Sequence, residues 1–166
     1  FPDELKVSKR LRRYYKNTVQ TFTINRAFDR VIAACAASRQ AVKEETWITA
    51  EMIEAYKKLN RLGYAHSVEC WNDSRLVGGL YGIALGKVFF GESMFTLSAN
   101  SSKFALIELV NFLKTNNYGL IDCQMTTTHL VSMGAREIDK KEFQRLLSRH
   151  ITSTLPDKIW SHDTEN

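Results

Sequence analysis

The sequence lacks a run of apolar residues long enough to cross a membrane. Its longest apolar-leaning run, Leu76 to Phe90, is broken by four glycines and by Lys87, whereas a spanning helix needs about 20 consecutive apolar residues. Cysteine is scarce. Cys35, Cys70 and Cys123 are odd in number and contain no Cys-x-x-Cys pair, which argues against a zinc ribbon or a disulfide framework and for buried free thiols in a reducing compartment. Four histidines (His66, His129, His150 and His162) are scattered without paired ligand spacing, so no metal site is expected. Neither end carries a secretory or transit signal, and no repeat, interior linker or disorder-prone tract is present. These absences lead us to expect a cytoplasmic protein with no membrane partner. The first residue is Phe1 rather than methionine, so an upstream portion of the translation product is expected to be missing.

What is present fits one domain with its own core: 166 residues, 44% hydrophobic and 25% charged. The net charge of +5 is modest but unevenly placed. In KVSKRLRRYYK, six basic residues (Lys6, Lys9, Arg10, Arg12, Arg13 and Lys16) fall within eleven positions. Val7, Leu11, Tyr14 and Tyr15 recur at helical spacing, which predicts an amphipathic helix over about 5–17 with one face docked and the other cationic. Such a face is either simply solvated or attracts phosphates by counterion release; the near absence of interleaved acids favours nucleic acid.

The remaining pattern alternates. VQTFTI reads as a strand, followed by Asn25 as N-cap of a helix through RAFDRVIAACAAS. Thr49 caps AEMIEAYKKLNRLG, which ends at Gly63. YAHSVECW and RLVGGLYGIALG form a hairpin about Asn72-Asp73-Ser74, and KVFFG a third strand, with Gly91 turning the chain out of the sheet. SSKFALIELVNFLKTNN predicts a long helix, GLIDCQ a strand and THLVSMG a short helix. Ile138 to Phe143 reads as a capping box with a hydrophobic staple. Residues from about 152 to 166 look like an extended tail. The fold class expected is α+β: one domain over 1–166 with helices around a largely antiparallel sheet.

Three places carry candidate chemistry. The glycines of VGGLYGIALG mark either a bulged, twisted strand or a close ligand approach. The segment RLVGGL half resembles the pyrophosphate loop of acyl-CoA transferases, yet it enters a strand where a phosphate loop needs a helix N-terminus. In LIDCQ, strand alternation places Asp122 and Gln124 on one side and Ile121 and Cys123 on the other. That pair could hold and polarise an amine, or Asp122 could cap the next helix. In GKVFFGESMF, Glu92 sits between apolar runs, where an unpaired carboxylate is costly to bury.

Together, WITAEMIEAYKKLNRLGYAHSVECW, VGGLYGIALGKVFFGESMF, SSKFALIELV and LIDCQMTTTHLVSMGAREI resemble the leucyl/phenylalanyl-tRNA–protein transferases, from about Leu5 to about Leu155. The resemblance implies an N-acetyltransferase-like fold that uses aminoacyl-tRNA in place of acyl-CoA. Its implied activity moves leucine or phenylalanine, and methionine more weakly, from Leu-tRNA or Phe-tRNA to the α-amine of proteins beginning with Arg or Lys. That transfer marks them for degradation. The donor ester is already activated, so no cofactor is expected; the protein is expected to be a monomer.

Carried over by the family motif, Asp122 and Gln124 orient and help deprotonate the amine, while Glu92 lies near the ester and the acceptor. Leu80, Phe89, Leu106, Leu109 and Ile121 wall the donor side-chain pocket, and Trp47 stacks on the terminal adenine. Lys9, Arg12, Arg13 and Lys16 contact the tRNA backbone. The family's small N-terminal domain, with its Gly-Gly-Asp segment and Trp-rich stretch, is expected to be absent. A CoA-dependent N-acetyltransferase and a catalytically inactive tRNA-binding module are the alternatives.

Overall fold

A computed structural model describes residues 1–41, 48–153 and 155–160; Trp47 lies outside them. The fold is built on a five-stranded sheet of order β1-β2-β3-β4-β5, comprising Thr21–Ile24, Ala65–Asn72, Arg75–Leu85, Val88–Thr96 and Leu120–Asp122. The first four strands are antiparallel neighbours, and β5 adds to β4 in parallel. Strand alternation divides the core between the two faces. On one face Val68, Leu80, Ala84 and Phe89 meet α4 (Ser101–Thr115). On the other, Tyr81 and Phe95 meet α2 (Phe28–Ala41) and α3 (Ala50–Arg61). Beyond the β5 edge lie α5 (Thr128–Ser132) and α6 (Lys140–His150), with Leu146 of α6 packed on Val88 and Leu120.

Several local expectations hold for the anticipated reasons. Thr49 Oγ1 accepts from Met52 N to cap α3, and Gly63 leaves that helix at φ +81°. The hairpin turns at Asp73, itself at φ +52°. Cys35 and Cys70 are buried free thiols, and Cys123 is a partly exposed one; burial pushes the first two up to about 12. No helix among the described residues is long and apolar enough to cross a membrane.

Other expectations are corrected. Helix α1 spans Lys9–Lys16, shorter than 5–17, because Ser8 Oγ accepts from Leu11 N and fixes its start. Leu11 and Tyr15 face the core, while Tyr14 is 40% exposed among Arg10 and Arg13. Asn25 is not an N-cap. It turns the chain at φ +57°, and the N–H groups of Arg26 and Ala27 leading into α2 donate to the fully buried Glu69 of β2 instead. Thr23 and Ser67 hydroxyls also donate to Glu69. In α6 the capping box is half made: Asp139 accepts from Glu142 N, but the Glu142 carboxylate turns to Arg145.

The tail expectation fails at Trp160, which is 3% exposed. Its ring stacks 4.2 Å from His66, its Nε1 donates to Tyr118 Oη at 2.7 Å, and its carbonyl accepts from Asn25. Gly82 is explained by packing rather than by a ligand, because a Cβ there would come within 2.2 Å of the Phe90 carbonyl.

Candidate active site

The site arises where β4 and β5 part. Their ladder is confined to Val88–Phe90 against Leu120–Asp122. Strand β4 does not leave the sheet at Gly91, as the sequence suggested. It continues to Thr96 with a register shift in which Tyr81 pairs with Ser93 and Gly82 with Gly91, so Glu92 is the extra, bulged residue. A bulge re-aims a side chain without ending the strand. On the other side β5 stops at Asp122, and Gln124 adopts φ +59°. The backbone N of Gln124 donates to Asp122 Oδ1 at 2.8 Å, and its Nε2 donates to the Gly91 carbonyl at 3.1 Å. Gln124 therefore ties the parted strands together across the opening. Its Oε1 and the second oxygen of Asp122 are acceptors with no bond among the described residues.

Next to this opening lies a cavity of about 240 Å³. Its walls include all five residues expected for the donor side chain: Leu80, Phe89, Leu106, Leu109 and Ile121. Glu92 and Gln124 line it too. Asp122 does not; it lines an adjoining cleft of about 630 Å³, and Ile121, Cys123 and Gln124 border both spaces. Simple strand alternation had put Asp122 and Gln124 on one face. The left-handed turn at Gln124 instead sets that side chain between the two spaces.

Sequence reading missed several neighbours of the cavity. Tyr56 of α3 lies beside Glu92; burial first, then that carboxylate, hold its phenol above the ordinary range. Burial does the same for Tyr81, which also borders the cavity. Arg39 borders the cavity and donates to Ser93 Oγ at 3.4 Å. His129 of α5 is held below its usual range by burial and then by Lys103. Arg39, a lone cation closing the small-residue run AACAAS, was the one signal in the sequence.

Lys9, Arg12, Arg13 and Lys16 are exposed on α1 at positions i, i+3, i+4 and i+7, one face of the helix. Among the described residues none of them forms an ion pair. Among those residues there is also no group of three His, Cys, Asp or Glu side chains able to hold a metal.

A sheet whose β4 and β5 splay over an acyl-sized cavity is the architecture of the N-acetyltransferase fold. A solved probable acetyltransferase superposes with a TM-score of 0.55 at 10% identity, over 74% of this chain and 93% of that one. At that identity the likeness concerns fold alone. The family is shown by sequence. Residues 1–148 match the family described as leucyl/phenylalanyl-tRNA protein transferase. A leucyl/phenylalanyl-tRNA–protein transferase of Desulfotalea psychrophila is 54% identical over 160 residues, covering 96% of this chain and 70% of that protein. Its namesake from Syntrophobacter fumaroxidans is 51% identical over 164 residues, covering 99% and 70%. The chain belongs to the leucyl/phenylalanyl-tRNA–protein transferase family and spans about 70% of the length of these two relatives.

Proposed function

We propose that the protein transfers leucine or phenylalanine from aminoacyl-tRNA to the α-amine of an acceptor protein that begins with Arg or Lys. The observation that supports this best is the convergence of Leu80, Phe89, Leu106, Leu109 and Ile121 around one cavity that opens on Glu92 and Gln124. Burying a leucyl or phenylalanyl side chain there is worth about 1.5–3 kcal/mol, and it holds the ester beside the parted strands.

In the reaction the amine nitrogen attacks the ester carbonyl carbon. A C–N bond forms, the bond from that carbon to the ribose oxygen breaks, and the proton lost by nitrogen ends on the ribose oxygen. At pH 7 roughly a tenth of a free α-amine is neutral, so the protein's task is to hold that form in line. The free acceptors of Gln124 and Asp122 suit the two N–H bonds of a neutral amine, and the Asp122 carboxylate can carry its proton on toward the ribose oxygen. The Glu92 carboxylate, on its bulge, suits the cationic side chain of the acceptor. The exposed face of α1 suits tRNA phosphates.

The test supplies radiolabelled Phe-tRNA with one acceptor beginning with Arg and another with an acidic residue. Label is expected on the Arg acceptor only. Equal labelling of both, or of neither, contradicts the proposal.

A further inference from the structure

We propose that the cleft between the start of α1 and the start of α4 is a phosphate site for the backbone of the single-stranded acceptor end of the tRNA. The identity of the RNA rests on the transferase reading. The cleft has a volume of about 330 Å³ and takes one cation from each of three places: Lys6 ahead of α1, Arg10 on α1 and Lys103 in the first turn of α4. Ser8, Asn100 and Ser132 add polar groups to its wall, and no carboxylate lines it. Among the described residues none of the three cations forms an ion pair. Three cations on a wall without a carboxylate repel one another, a cost that an anion between them removes; Glu4 acts on Lys6 from outside the cleft.

Geometry strengthens the case. Arg10 is pinned by one nitrogen: its Nε donates to Tyr14 Oη at 3.3 Å, and the guanidinium lies 5.5 Å from the Tyr14 ring centre. Its remaining N–H groups form a fork suited to a phosphate. Helix α4, 15 residues long with Lys103 in its first turn, carries no side-chain cap bond at Asn100, so its positive end adds to the field. The Arg10 contact, and after it Arg13, draws the Tyr14 phenol below its ordinary range.

The cleft is separate from the exposed face bearing Lys9, Arg12, Arg13 and Lys16. Shared wall residues link it instead, stepwise, to the cavity. Asn100 and Lys103 also border a depression of about 360 Å³ shared with Met94 and His129, and those two residues line the 240 Å³ cavity. A strand whose last residue is esterified to a side chain in the cavity has a path along this depression to Lys103 and Arg10.

The test is fluorescence anisotropy with a short, unacylated, labelled single-stranded RNA over a salt series. The variant Lys6→Gln/Arg10→Gln/Lys103→Gln is compared with Lys140→Gln/Lys141→Gln/Arg149→Gln, which removes equal charge from exposed positions on α6. The cleft variant is expected to bind about tenfold more weakly, with a log–log salt slope shallower by roughly 0.7 for each phosphate no longer neutralised. The single variant Lys103→Gln moves the same way by less, which guards against a folding defect in the triple variant. Binding by the cleft variant no weaker than by the α6 variant overturns the proposal, as does a parent protein that binds no RNA. A parent that binds through the cleft but transfers no amino acid leaves the phosphate site standing and sinks the transferase reading.

Discussion

Replacing Gln124 with alanine removes two things of unequal weight. One is the 3.1 Å bond from Nε2 to the Gly91 carbonyl, a hydrogen bond at an exposed position worth about 0.5–1.5 kcal/mol. For a domain of this size that shifts Tm by roughly 2–4 °C per kcal/mol, and a protein stable by about 5–15 kcal/mol stays folded at 25 °C. The other is the Oε1 acceptor assigned to the attacking amine, where loss of an orienting contact slows a reaction about 10²-fold. Gln124→Ala is therefore expected to melt within a few degrees of the parent and to lose about a hundredfold in single-turnover transfer of radiolabelled phenylalanine. Gln124→Glu keeps acceptor oxygens but loses the donor to Gly91, so it should retain more transfer than the alanine variant. If Gln124→Ala transfers within about threefold of the parent, the assignment of an amine-holding acceptor at this position is wrong.

Three further outcomes follow from particular contacts. Trp160 backs Phe89, a cavity wall, with ring centres 5.7 Å apart; Trp160→Ala should cost about 3–5 kcal/mol, read as a lower urea midpoint, and an unchanged midpoint would show that this segment does not clamp the core. His66 is pushed down to about 4 by burial. Its folded value lies below the unfolded one, so its contribution is complete above about 6.5 and is lost as pH falls from there through 4. The parent should lose up to about 3 kcal/mol over that window, and His66→Phe, which keeps a ring against Trp160, should flatten the profile. Arg12→Ala should weaken tRNA binding and reduce the salt slope by about one; an unaltered slope would remove α1 from the tRNA path.

Where periodicity and caps carried the information, the sequence was legible. The helices α3 and α4, the Asp73 hairpin and the apolar walls of the cavity follow from local pattern together with the family motif. What escaped depends on groups distant in the chain. Glu69 reads as an ordinary strand residue, yet it caps a helix some forty residues upstream. A tryptophan among Ser, Thr and Asp gives no periodic signal, so Trp160 looked like tail. The role of Glu92 could not be read because a bulge is a property of two strands and their register. Likewise the split of Asp122 and Gln124 between two spaces follows from a single left-handed residue that alternation cannot foresee.

The most direct test of the account is a crystal structure with a non-hydrolysable phenylalanyl-adenosine bound. The phenyl ring is expected among Leu80, Phe89, Leu106 and Leu109, with the acyl carbon beside Gln124. A phenyl ring in the larger cleft along Asp122, or outside both spaces, would contradict it.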